Sequence, residues 1–81
     1  MRYAEFEDAL LVAIVAAADN NQRGQADVTA AAEGVLPGVS EQWISSAVKS
    51  YERAGWVYNV SRPLQGGITL MVTGAGRRHA A

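Results

Sequence analysis

Residues 40–57 carry the feature that most constrains this chain, a capped amphipathic helix that runs directly into a strand. Ser40 is suited to cap the helix, because its hydroxyl can accept a hydrogen bond from a backbone N–H two or three residues later. Gly55 is suited to end it, because glycine adopts the left-handed conformation without a steric clash. Between them, apolar residues recur at the spacing of one helical face: Ile44, Ala47, Val48, Tyr51 and Ala54. The sequence therefore predicts a helix from 40 to 54 whose apolar stripe faces a core.

The outer face of this predicted helix is polar and basic. Its members are small polar, amide and basic side chains and one indole: Gln42, Trp43, Ser45, Ser46, Lys49, Ser50 and Arg53. Glutamine can read adenine in a DNA major groove, serine can touch bases or phosphates, and lysine can reach guanine or a phosphate. An ordinary solvated face is the alternative. Trp43 either meets a nucleic acid or protein, or folds back over the preceding helix.

Charge is divided unevenly between the two halves of the chain. Residues 1–39 hold six acids and two bases, whereas residues 40–81 hold two acids and five bases, although the net charge of the whole chain is only −1. An uneven distribution of this kind favours a side that faces a polyanion.

The length and composition indicate one globular domain, 1–81. The chain has 81 residues, 49% of them hydrophobic, and no cysteine, which excludes a disulfide framework and thiolate metal sites. The longest apolar run, Ala9 to Ala18, is half as long as the about 20 residues of a membrane span. Acids precede this run, unlike the basic leader of a signal peptide. We expect no membrane association and a cytoplasmic location.

The first helix is predicted from Tyr3 to Ala18 and is apolar over much of its circumference. One stripe contains Phe6, Leu10 and Ile14. A second, adjacent stripe contains Leu11, Val15 and Ala18. The helix is therefore either a central core helix or one whose second stripe forms a homodimer interface, since a small domain has little mass to cover every face.

The remaining segments complete an order of helix, helix, turn, helix, hairpin and short helix. Asp27 can cap a second helix from 28 to 34. Residues 56–61 and 68–73 read as two strands, joined by a tip, residues 62–67, that carries Arg62 and Gln65. Arginine on such a tip suits a narrow minor groove, although a solvated turn is the alternative.

At the end of the chain, Thr73 can cap a short helix from 74 to 81. Arg77, Arg78 and His79 are expected to be a solvated tail, with phosphate contact as the alternative.

This order resembles the winged helix-turn-helix domain of bacterial transcription regulators, including MarR-like ones, over almost the whole chain. Residues 39–57 look like the recognition helix of the family and its strand entry, and residues 70–77 look like its returning wing strand and following helix. Trp43 stands where a small polar residue is usual. The resemblance implies an α+β winged-helix fold and binding to double-stranded DNA. The predicted DNA-binding residues are Ser40, Gln42, Trp43, Ser45, Ser46, Lys49, Ser50, Arg53, Arg62 and Gln65.

The sequence favours neither catalysis nor a cofactor. The acids lie on separate predicted surfaces without a histidine partner, and neither glycine pair has the strand–glycine–helix context of a phosphate-binding loop. No metal-ligand spacing is present. The competing hypothesis is a winged-helix module that binds protein, which the acidic N-terminal half, the second stripe of the first helix and Trp43 favour.

Overall fold

A computed structural model describes residues 1–61 and 68–80 of the chain. These residues form an α+β fold with four helices and a three-stranded antiparallel sheet. The elements in chain order are α1 (Tyr3–Asp19), β1 (Gln25–Asp27), α2 (Val28–Val35), α3 (Glu41–Ala54), β2 (Val57–Ser61), β3 (Thr69–Val72) and α4 (Gly74–Ala80). No helix within the described ranges is long and apolar enough to cross a lipid bilayer.

The sheet has the order β1-β3-β2, so the last strand lies in the middle. Ala26 of β1 pairs with Leu70 of β3, and both side chains are buried. The sequence did not predict β1, because three residues are too few to show a period of two. Its last residue, Asp27, also caps α2 as predicted, accepting a hydrogen bond from the N–H of Ala30 at 3.3 Å.

Helix α1 lies at the centre of the core and packs against α2, α3, α4, β1 and β3. The predicted stripe of Phe6, Leu10 and Ile14 is completely buried. The second stripe is not an open surface. Leu11 and Ala18 are only 2% and 1% exposed, and Val15 is partly buried against the same core.

The expected dimer surface of α1 is therefore corrected. Leu11 and Ala18 cannot meet a second copy, because the strands and helices that pack around α1 already cover them. Val12 is the large apolar side chain of α1 that is exposed, at 52%. Self-association of the chain stays a prediction, but Leu11 and Ala18 are not part of the predicted interface.

Helix α3 begins and ends where the sequence predicts. The Ser40 hydroxyl accepts a hydrogen bond from the N–H of Trp43 at 3.3 Å, and Gly55 has a φ of +77°. The N–H of Trp56 then donates to the Tyr51 carbonyl at 2.9 Å, which closes the helix end.

The inward stripe of α3 is shorter than predicted. Ala47, Val48 and Tyr51 are buried and Ile44 is partly buried, as expected. Ala54 is exposed, because the chain reverses at the next residue and the core contacts of α3 end one turn earlier.

Helix α4 is folded onto the domain. The Thr73 hydroxyl accepts a hydrogen bond from the N–H of Gly76 at 3.1 Å, which confirms the predicted cap, and it donates to the Gly55 carbonyl at 2.7 Å. Arg77 forms a salt bridge with Asp19 at the end of α1. Arg77, Arg78 and His79 are exposed, as expected of a solvated segment. The segment is nevertheless a helix attached to the domain, because His79 also stacks on Trp56.

Candidate functional site

The outer face of α3 presents a continuous polar stripe. Gln42, Ser46, Lys49 and Arg53 are all exposed and follow each other at intervals of four, three and four residues. Residues at these intervals lie above one another on a helix. The burial of Ala47, Val48 and Tyr51 on the opposite side fixes the rotation of α3, so the two cations point to solvent.

A depression, which we call the basic groove, runs beside this stripe towards the N-terminal end of α1. It encloses about 480 Å³ and is lined by Tyr3, Gln42, Trp43, Ser46, Lys49, Ser50 and Arg53. The residues that the structure describes in this lining include two cations and no carboxylate. The remaining polar groups are an amide, three hydroxyls and the indole N–H of Trp43, all of which can donate hydrogen bonds. The basic groove is thus suited to an anion that offers several acceptor oxygens.

Two aromatic residues form the α1 side of the basic groove. The rings of Tyr3 and Trp43 meet edge to face, with centroids 5.5 Å apart and planes at 85°. Trp43 also contacts Phe6, at 5.6 Å between centroids. Trp43 therefore folds back, but over α1 and not over the preceding helix, because the start of α1 lies beside this face of α3. Its indole is partly buried but still lines the basic groove, so contact of Trp43 with DNA stays a prediction.

Tyr3 was missed in the sequence analysis. Its position three residues before Phe6 and seven before Leu10 places it on the same face of α1 as the core residues, and this spacing was the available signal. A tyrosine at the end of an apolar stripe packs its ring on the core and places its hydroxyl at the boundary with solvent.

Both tyrosines near the basic groove remain neutral phenols at neutral pH. Burial raises the pKa of Tyr51, and the nearby charge of Glu7 raises it further. The Tyr51 hydroxyl donates a hydrogen bond to the Glu7 carbonyl. Burial also raises the pKa of Tyr3, aided by a hydrogen bond to the Glu7 side chain and its charge, while a hydrogen bond with Ser50 acts in the opposite direction. Neither phenol therefore adds negative charge to the basic groove.

The other flank of α3 has the opposite chemistry. A second depression of about 510 Å³, the acidic groove, is lined by Thr29, Glu33, Val39, Glu41, Ile44, Ser45 and Ile68. Among the described residues, this lining contains two carboxylates and no cation. Glu33 is held in place by accepting a hydrogen bond from the N–H of Gly38 at 3.1 Å. Two neighbouring serines, Ser45 and Ser46, thus open into different grooves.

The predicted DNA-binding residues are divided by these two grooves. The basic groove brings six of them together: Gln42, Trp43, Ser46, Lys49, Ser50 and Arg53. Ser45 lies in the acidic groove, and the Ser40 hydroxyl is occupied as the cap of α3. Arg62 and Gln65 lie outside the described residues.

Within the described part of the chain, no three His, Cys, Asp or Glu side chains are grouped so that they could hold a metal ion. Comparison of the chain with protein-family models, with curated proteins and with solved structures gave no match.

Proposed function

We propose that this protein is a winged-helix DNA-binding protein, a transcription regulator that places α3 in the major groove of double-stranded DNA. The observation that carries the proposal is the basic groove, in which Lys49 and Arg53 stand on one exposed face of α3 with hydrogen-bond donors and no carboxylate in the lining. Phosphate contacts by lysine and arginine supply most of the non-specific affinity of DNA-binding proteins.

The dimensions of α3 suit this placement. Its 14 residues make a helix about 21 Å long. With side chains a helix is about 10–12 Å across, which matches the about 12 Å width of the major groove. In this placement Gln42, near the start of α3, reads a base edge, and Lys49 and Arg53 hold the flanking phosphates.

The arrangement of the elements also supports the proposal. Helices α2 and α3 are joined by five residues, and α3 passes directly into β2 and then β3. This is the order that the resemblance to winged-helix regulators implies. The segment 62–67, with Arg62 and Gln65, is the part that the resemblance assigns to the tip of the wing.

A binding titration tests the proposal. Fluorescence anisotropy of a labelled mixed-sequence duplex at low salt should report binding by the parent protein. Replacing Lys49 and Arg53 together by alanine should weaken binding by about tenfold or more, since two charge-assisted contacts are lost. The matched control replaces Arg23 and Arg78, two exposed arginines outside the basic groove, and should bind within about threefold of the parent protein. An equal loss of duplex affinity in the two double variants would contradict the placement of α3 in the major groove.

A protein-binding module is the second candidate, and the acidic groove favours it. Val39, Ile44 and Ile68 give this groove a partly buried apolar floor, and Glu33 and Glu41 give it negative charge. Such a surface repels phosphates and suits an apolar and basic protein segment. Absence of duplex binding by the parent protein at the lowest salt would favour this candidate over DNA binding.

A further inference from the structure

We infer that the DNA strand that carries the affinity lies on the α1 side of α3, in the basic groove, and that Tyr3 of α1 contacts its sugar–phosphate backbone. This inference rests on the proposed function and names a contact residue on an element outside α2, α3 and the hairpin. It follows from the opposite chemistry of the two flanks of α3 and from the position of the Tyr3 hydroxyl.

The first step is electrostatic. A helix that fills the major groove has one backbone strand on each side, because its diameter is close to the width of the groove. Duplex DNA carries one negative charge per about 1.7 Å of its axis. On one side of α3 the phosphates would meet Lys49 and Arg53, and on the other side they would meet Glu33 and Glu41. The helix therefore lies closer to the strand on its basic side.

The second step concerns Tyr3 itself. Its ring is held against Trp43 in edge-to-face contact, so the phenol has a defined place in the wall of the basic groove. Ser50 lines the same groove, and the side chains of Glu7 and Ser50 both influence the pKa of the Tyr3 hydroxyl. Ser50 and Tyr3 thus place two hydroxyl groups in the same groove lining as Lys49 and Arg53.

The third step concerns the charge of Glu7. This carboxylate is not part of the groove lining, whereas the neutral phenol of Tyr3, whose pKa it raises, is. Tyr3 therefore places a neutral donor between Glu7 and an approaching phosphate. When a phosphate arrives, the Tyr3 hydroxyl can turn its one proton towards a phosphate oxygen and donate a hydrogen bond to it.

The variant Tyr3→Phe tests the inference, because it keeps the ring on Trp43 and removes only the hydroxyl. We expect duplex binding to weaken by about two- to tenfold for every sequence, the effect of one hydrogen bond. The slope of log affinity against log salt should not change, since no charge is removed. Tyr58→Phe is the matched control. Tyr58 is an exposed tyrosine on β2 whose hydroxyl donates to the Met71 sulfur, and its variant should bind like the parent protein.

The variant Glu41→Gln tests which side of α3 the strand occupies. Because no phosphate lies beside Glu41 in this arrangement, affinity should change by less than about twofold. Parent-like binding by Tyr3→Phe, or severalfold tighter binding by Glu41→Gln, would overturn the inference while leaving DNA binding by α3 intact. Absence of binding by the parent protein would instead overturn the proposed function together with this inference. Thermal melts of each variant establish that the protein is folded at the temperature of the titration.

Discussion

The rings of Trp56 and His79 stack with their centroids 3.8 Å apart and their planes inclined by 18°. Trp56 is the first residue after the glycine that ends α3, and His79 lies near the end of α4. The stack therefore joins the last helix to the C-terminal end of the helix that we propose to bind DNA. The bond from the Thr73 hydroxyl to the Gly55 carbonyl reinforces the same connection.

Removing the imidazole should loosen this connection. Stacked aromatic pairs contribute about 0.5–1.5 kcal/mol beyond their buried area. His79→Ala should therefore lower the free energy of unfolding by about this amount. In a domain of this size, each kcal/mol corresponds to a fall in melting temperature of about 4–8 °C. Arg78→Ala, a change at the adjacent exposed position, is the control. Equal melting temperatures for His79→Ala and the parent protein would show that the stack does not stabilise the domain.

Two glycines should respond in opposite ways to alanine. A Cβ at Gly76 would lie 2.3 Å from the Trp56 carbonyl oxygen and 2.9 Å from a methyl group of Val72. Because the Trp56 carbonyl is held by a hydrogen bond from the N–H of Thr73, Gly76→Ala should reduce the free energy of unfolding by about 1–3 kcal/mol. A Cβ at Gly34 in α2 would meet nothing within 4 Å. Gly34→Ala should therefore raise the free energy of unfolding by about 0.5–1 kcal/mol. Urea unfolding of both variants measures the two effects, and a destabilised Gly34→Ala would contradict this account.

Tyr51 should make the fold sensitive to alkaline pH. Its pKa is raised in the folded protein from the ordinary value of 10.0, so the folded state favours the protonated phenol. The corresponding stability is fully present below the unfolded pKa near 10 and is lost as the pH rises through the folded value. The free energy of unfolding of the parent protein should therefore decline above about pH 10. Tyr51→Phe should be less stable at neutral pH by about 0.5–1.5 kcal/mol, because the hydrogen bond to the Glu7 carbonyl is lost. Its free energy of unfolding should also fall less than that of the parent protein as the pH rises above about 10. Parallel declines in both proteins would contradict this assignment.

Local patterns in the sequence were enough to predict most of the fold. Ser40, Gly55 and Thr73 each act within a few residues of themselves, so capping and turn preferences identified the ends of the helices. The period of 3.6 residues identified the buried face of α3 and hence its exposed cations. Strand β1 could not be predicted in this way, because it exists only through its pairing with β3, far away in the sequence.

The candidate site could be predicted only in part for the same reason. Helical periodicity puts Ser45 and Ser46 on one outer face. It cannot show that α1 borders the groove of Ser46, while α2 and Ile68 border the groove of Ser45. The contact of Tyr3 with Trp43 joins residues 40 positions apart and depends on how α1 crosses α3. Local sequence patterns contain no signal for such a crossing.

The salt dependence of duplex affinity tests the central claim most directly. If Lys49, Arg53 and their neighbours hold DNA phosphates, log affinity should fall linearly with log salt with a slope of roughly −3 to −5 per protomer. Replacing Lys49 and Arg53 by alanine should make the slope shallower by about two, whereas the matched Arg23 and Arg78 variant should keep the parent slope. A slope near zero, or a parent slope retained when both α3 cations are absent, would contradict the account.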